Sequence, residues 1–166
     1  NLYTTLGGTN WLMKENWLND DVSICARYGI ECVSLSDGDE AVRTISLAQN
    51  NLVGAVSVEL FDLPYLKSLN LARNDIGFSF YGISRATMLQ YLGLDEIGLT
   101  SLSGIEAAPQ LKLLHVIGNN FGNKFPGEIF ALPSLEVLYL SKNDIGGALP
   151  EQFSALTNLS HFECSE

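Results

Sequence analysis

The sequence predicts an α/β fold: a curved, right-handed repeat solenoid with a parallel β-sheet on its concave face, preceded by an N-terminal cap. Two observations carry this prediction. The pattern Leu-x-x-Leu-x-Leu-x-x-Asn returns every 22 to 24 residues, beginning at Val42, Leu66, Leu89, Leu111, Leu135 and Leu159, and self-similarity at such a period is the mark of stacked supersecondary units. Residues 1–41 do not carry the pattern. They are expected to cover the first coil, whose hydrophobic end would otherwise face water. One structural domain follows, with a cap over 1–41 and repeats over 42–166, five full and the sixth cut short.

The copies read VRTISLAQN, LKSLNLARN, LQYLGLDEI, LKLLHVIGN, LEVLYLSKN and LSHFECSE. Positions one, four and six are apolar with few exceptions, a spacing that suits a short strand entering a turn with those side chains stacked inward. Position nine is Asn50, Asn74, Asn119 and Asn143. A side-chain amide there can bond exposed backbone groups of its own turn and of the neighbouring coil, forming an asparagine ladder. The third copy interrupts it with Ile97, and the sequence after that strand also changes character, to GLTSLSGIEAAPQ.

Beyond the strand, copies one, four and five continue with apolar residues at matching places: Val56, Phe125 and Leu149; Leu60, Ile129 and Phe153; Leu63, Leu132 and Leu156. Pro126 and Pro150 have no N–H to donate to a ladder. This side of each coil is therefore expected to be loop with at most a short helical turn. The sixth copy ends at Glu166, one residue before its ladder asparagine would fall. Continuation of the chain, or a partner, is expected to cover that end, and Cys164, at an inward position, is expected to be buried.

Composition narrows the function. With 46% hydrophobic and 17% charged residues the chain can bury a core. Polar residues or glycine break every apolar run well short of the roughly 18 residues a membrane helix needs, so the chain is not expected to insert directly into a membrane. The net charge is −10, and residues 1–41 hold seven acids against Lys14 and Arg27. Nucleic acid is an unfavourable partner for such a surface, because polyanion binding needs a basic stripe. Cys25 and Cys32 are separated by six residues, enough for a loop-closing disulfide in an oxidising compartment or for two free thiols. Two cysteines are too few for a structural zinc site.

Over residues 42–166 the chain resembles the leucine-rich-repeat family, and NDIGGALPEQF at 143–153 resembles the plant-specific form Asn-x-Leu-x-Gly-x-(Ile)-Pro. The third repeat is similar to a shorter, 22-residue variety. The segment LYTTLGGTNWLMKENWLNDDVSICARYGIECVS resembles the helical cap of plant-type extracellular members through Trp11, Trp17, Cys25, Gly29, Ile30 and Cys32, although the tryptophan usual between the cysteines is absent. The resemblance, to receptor-like ectodomains and polygalacturonase-inhibitor-like proteins, implies a Cys25–Cys32 disulfide. It also implies a secreted, lumenal or cell-surface setting and tryptophans used for packing. Asn158-Leu159-Ser160 is an N-glycosylation sequon at the entry to the last strand.

Catalysis needs an acid, base or nucleophile held in mutual reach. The only histidines, His115 and His161, fall in the fourth and sixth copies, two strands and roughly 10 Å apart at the usual strand spacing. Asp95 and Glu96 are adjacent, and neighbours in extended chain point in opposite directions. GGTN at 7–10 and NDIGG at 143–147 are turns without the lysine and helix of a phosphate loop. No enzyme, cofactor or metal is expected.

The variable strand positions instead form columns on the concave sheet. Position two reads Arg43, Lys67, Gln90, Lys112, Glu136 and Ser160; position three, Thr44, Ser68, Tyr91, Leu113, Val137 and His161; position five, Ser46, Asn70, Gly93, His115, Tyr139 and Glu163. Tyr91, Leu113, His115, Val137 and Tyr139 are expected to make a contiguous apolar and aromatic patch of the kind that anchors protein interfaces, with Arg73 and Lys142 at its rim. A recognition module for a protein partner or a cell-wall carbohydrate, or an accessory subunit of a larger complex, follows from that patch together with the resemblance.

Overall fold

The computed structural model describes residues 2–165. The main sheet has seven strands in the spatial order β1 (Ile30–Ser34), β2 (Glu40–Ser46), β4 (Ser68–Asn70), β6 (Tyr91–Gly93), β7 (Leu113–His115), β8 (Val137–Tyr139) and β9 (His161–Glu163). From β2 onward every neighbour is parallel and one repeat further along the chain. Each copy thus makes one turn of a leucine-rich-repeat coil. Its strand is short because positions one, four and six must all turn inward, which only three consecutive extended residues and a following bend permit.

The inward columns form one continuous core. At position four Leu69, Leu92, Leu114 and Leu138 have no exposed surface, and neither do Leu47, Leu71, Leu94, Val116 and Leu140 at position six. Each such side chain contributes about 1.5–3 kcal/mol relative to exposure, and each is held between two neighbouring coils. A 3-10 turn on the opposite side closes every complete coil: Val58–Asp62, Ile83–Arg85, Ile105–Ala107, Gly127–Ala131 and Glu151–Ala155.

Two features depart from expectation. A second, two-stranded parallel sheet joins β3 (Val53–Ala55) to β5 (Asp75–Gly77) where only loop was anticipated. The β-branched and small residues of VGA and DIG extend readily once the coils stack, but three-residue segments are too short to show a period in sequence. Cys164 is exposed, not buried. Its counterparts in coils one to five are covered on both sides, whereas the sixth coil is packed from one side only among the described residues.

The cap contains little helix, a single turn α1 (Leu2–Thr5) and two 3-10 turns at Gly8–Asn10 and Ile24–Ala26. Its main contribution is β1, which pairs antiparallel with β2 and so begins the sheet. Gly29 makes this approach possible: its φ is 77°, and a Cβ there would lie 2.3 Å from the Ser46 carbonyl oxygen. Tyr3, Trp11 and Trp17 are buried together, with ring centroids 4.9–6.2 Å apart. Trp11 Nε1 donates to the Leu6 carbonyl at 2.7 Å and Trp17 Nε1 to the Tyr28 carbonyl at 3.0 Å, so both indoles pack without an orphaned donor.

A disulfide joins Cys25 to Cys32. Without reductant, one thiol per chain, Cys164, is expected to react with a disulfide reagent, and three after reduction. Partial burial pushes the Cys164 thiol above its ordinary range, so at neutral pH it should react more slowly than a small free thiol. Two or more reactive thiols before reduction would contradict the bridge.

The asparagine amides hold successive turns together. Asn74 Oδ1 accepts from the backbone N–H groups of Asn50 and Leu52, both at 3.0 Å, while its Nδ2 donates to the Leu47 and Leu71 carbonyls at 2.9 Å. Asn119 repeats the arrangement toward Ile97, Leu99, Leu94 and Val116. Asn50 reaches the other way, exchanging bonds with the backbone of Met13 in the cap. Asn143 donates to Val116, Leu140 and Ser141, but its buried Oδ1 has no donor among the described residues. At the gap, Ile97 is buried as part of the apolar core, and Asp95 Oδ1 takes the N–H of Ile117 in the next coil at 2.7 Å.

Candidate protein-binding face

Parallel pairing without a slip sets the columns of the concave surface. Tyr91 stands opposite Leu113, Leu113 opposite Val137 and Val137 opposite His161; in the next column Gly93, His115, Tyr139 and Glu163 align in the same way. All of Tyr91, Leu113, His115, Val137 and Tyr139 are half-buried, so each shows part of a side chain whose base is held by its neighbours.

The aromatic members form a row that crosses columns. Ring centroids lie 5.5 Å apart from Tyr91 to His115, 4.3 Å from His115 to Tyr139 and 5.0 Å from Tyr139 to His161, all tilted. Tyr91 can enter this row because position five of its own coil is Gly93: a Cβ there would lie 2.7 Å from the Tyr91 hydroxyl and 2.9 Å from Asn70 Oδ1. His161 completes the row although its patch membership was not evident in the linear pattern. The missing signal was the row's shift from position three to position five and back, which depends on how each ring leans.

Charge is arranged around the row. His115 Nδ1 lies 3.8 Å from Asp95 Oδ2. Burial and, secondarily, the Asp95 carboxylate raise the Tyr91 phenol above its ordinary value, so Tyr91 stays neutral through and beyond physiological pH. Arg73 and Lys142 occupy equivalent left-handed turn positions after their strands, with φ of 56° and 57°, along one edge of the sheet. They are not equivalent electrically. Arg73 Nε is 3.3 Å from Glu96 Oε1, whereas Lys142 has no ion pair among the described residues. The sequon residue Asn158 is tied by its Nδ2 to the Pro133 carbonyl at 2.7 Å.

No group of three or more metal-ligating side chains is present among the described residues, and no helix there is long and apolar enough to cross a membrane. A concave groove of about 580 Å³ runs along the position-two and position-three columns beside the aromatic row.

The parallel sheet, the inward leucine columns and the asparagine ladder define a leucine-rich-repeat solenoid. Leucine Rich Repeat family models match residues 134–156 and 62–77. Among solved structures, the ectodomain of the receptor kinase SOBIR1 from Arabidopsis thaliana is similar with a TM-score of 0.72 at 24% identity, covering 99% of this chain and 87% of that one. The ectodomain of the Arabidopsis receptor kinase HAESA, in complex with an N-terminally extended IDA peptide hormone, gives a TM-score of 0.65 at 26% identity. That match covers 87% of this chain and 29% of that one. A plant ice-binding protein gives 0.72 at 23%, covering 93% and 50%. No curated relative matches the sequence. The chain has the leucine-rich-repeat fold and is similar in structure to plant receptor-kinase ectodomains. It spans most of the SOBIR1 ectodomain and less than a third of the HAESA chain, and a fold shared by receptor-kinase ectodomains and an ice-binding protein does not by itself set a function.

Proposed function

We propose that the chain is a non-catalytic recognition module that docks a protein partner on its concave surface, in an extracellular or lumenal compartment. The observation that carries this reading is the row Tyr91–His115–Tyr139, flanked by Leu113 and Val137 on adjacent strands. Aromatic and aliphatic side chains, half-buried on a sheet pinned by buried amides, lose little conformational freedom on binding. They are therefore suited to act as interface anchors. The peptide hormone held by the HAESA ectodomain supports the same use of the fold, and the disulfide supports an oxidising compartment.

Tyr139→Ala and Leu113→Ala are each expected to weaken partner binding by about 1–2 kcal/mol while leaving the melting temperature nearly unchanged, because neither side chain is in the inward columns. The test immobilises wild type and the double variant, recovers proteins from a native secreted fraction, and measures the affinity of whatever wild type retains. Equal retention by both chains would remove the concave face as the docking site.

A further inference from the structure

The groove on the concave face carries a sign of charge opposite to the molecule's. On a chain of net charge −10, position two of the first, second and fourth coils brings Arg43, Lys67 and Lys112 to one rim of the groove, with Gln90 between the last two, beside Tyr91, Leu113 and Val137. Lys112 is already paired with Glu136. Arg43 and Lys67, on the adjacent strands β2 and β4, have no ion pair among the described residues. Like charges on neighbouring strands repel, and one anion seated between them would relieve that repulsion.

We propose that this rim receives an acidic, extended polypeptide segment of the partner, an inference that rests on the protein-docking reading above. A carboxylate side chain of the segment sits between the Arg43 guanidinium and the Lys67 ammonium, and apolar side chains further along it lie on Tyr91, Leu113 and Val137. The dimensions suit a short peptide. From β2 to β7 the row crosses three strand spacings, about 14 Å, which an extended chain covers in about four residues. Glu31, on β1, and Glu136 close the groove at its two ends. A long polyanion would run onto these acids and the acidic cap, whereas a segment of about four residues fits between them.

The test selects a displayed library of random eight-residue peptides on the full chain, then measures a synthetic consensus peptide by fluorescence polarisation. Expected are sequences enriched in Asp or Glu next to aliphatic or aromatic residues. The consensus peptide should bind about tenfold more weakly to Arg43→Glu/Lys67→Glu, or when its acids are replaced by amides, with affinity falling as salt rises. Arg43→Gln provides a milder variant in case the double reversal perturbs folding, and Lys124→Glu, on an exposed lysine away from the groove, should change nothing. Absence of acidic enrichment, unchanged affinity in the charge-altered chains, or preference for a sulfated polysaccharide over the peptide would overturn the inference. If the charge-altered chain still captures a partner that Tyr139→Ala loses, this inference falls and the docking face stands. If neither change matters, both fall.

Discussion

Trp11→Ala is expected to cost about 4 kcal/mol of stability, the upper range for removing a large buried aromatic. The ring is buried against Tyr3 and Trp17, and its Nε1 donates to the Leu6 carbonyl, so truncation leaves a cavity and removes one of the two donors to that carbonyl. Leu6 is itself fully buried and its carbonyl also accepts from Val53 N in the first coil. The damage should therefore pass from the cap into the repeats, as expected where stability is a sum of unit and neighbour terms. Urea unfolding with near-UV circular dichroism would read it, and a loss below about 1 kcal/mol would show that the cap does not support the solenoid.

The second large effect is expected at Asn119, where alanine should cost about 3 kcal/mol through buried backbone groups left unpaired. Asn119 is the rung that carries most alone. Its Oδ1 serves Ile97 and Leu99 of the interrupted third coil, which has no amide of its own at that position, and its Nδ2 serves Leu94 and Val116. Asn143, whose Oδ1 has no donor among the described residues, should cost less when replaced. Equal losses at the two sites, measured by denaturant unfolding, would mean that the ladder does not share its load as the hydrogen bonds describe.

These two sites also show which parts of the molecule can be read from a linear pattern. The ladder asparagines announce themselves because a buried amide at one place in a fixed period has few other uses. The cap tryptophans do not, since nothing in their spacing says that they meet each other, and only their resemblance to known caps pointed to packing. The candidate face lies between these cases. Its columns follow from the period, but the leaning of Tyr91 over Gly93, the entry of His161 into the ring row and the pairing of Arg73 with Glu96 are side-chain outcomes of stacking.

The sequence by itself determined the coil, its inward columns and the rows of residues that share the concave sheet, because a repeat of 22 to 24 residues leaves one economical way to bury its leucines. Tertiary structure alone decided the second sheet between β3 and β5, the exposure of Cys164 and the pairing of the rim charges. Each depends on what the neighbouring coil offers at one position, a contact between residues some two dozen apart that no local pattern encodes.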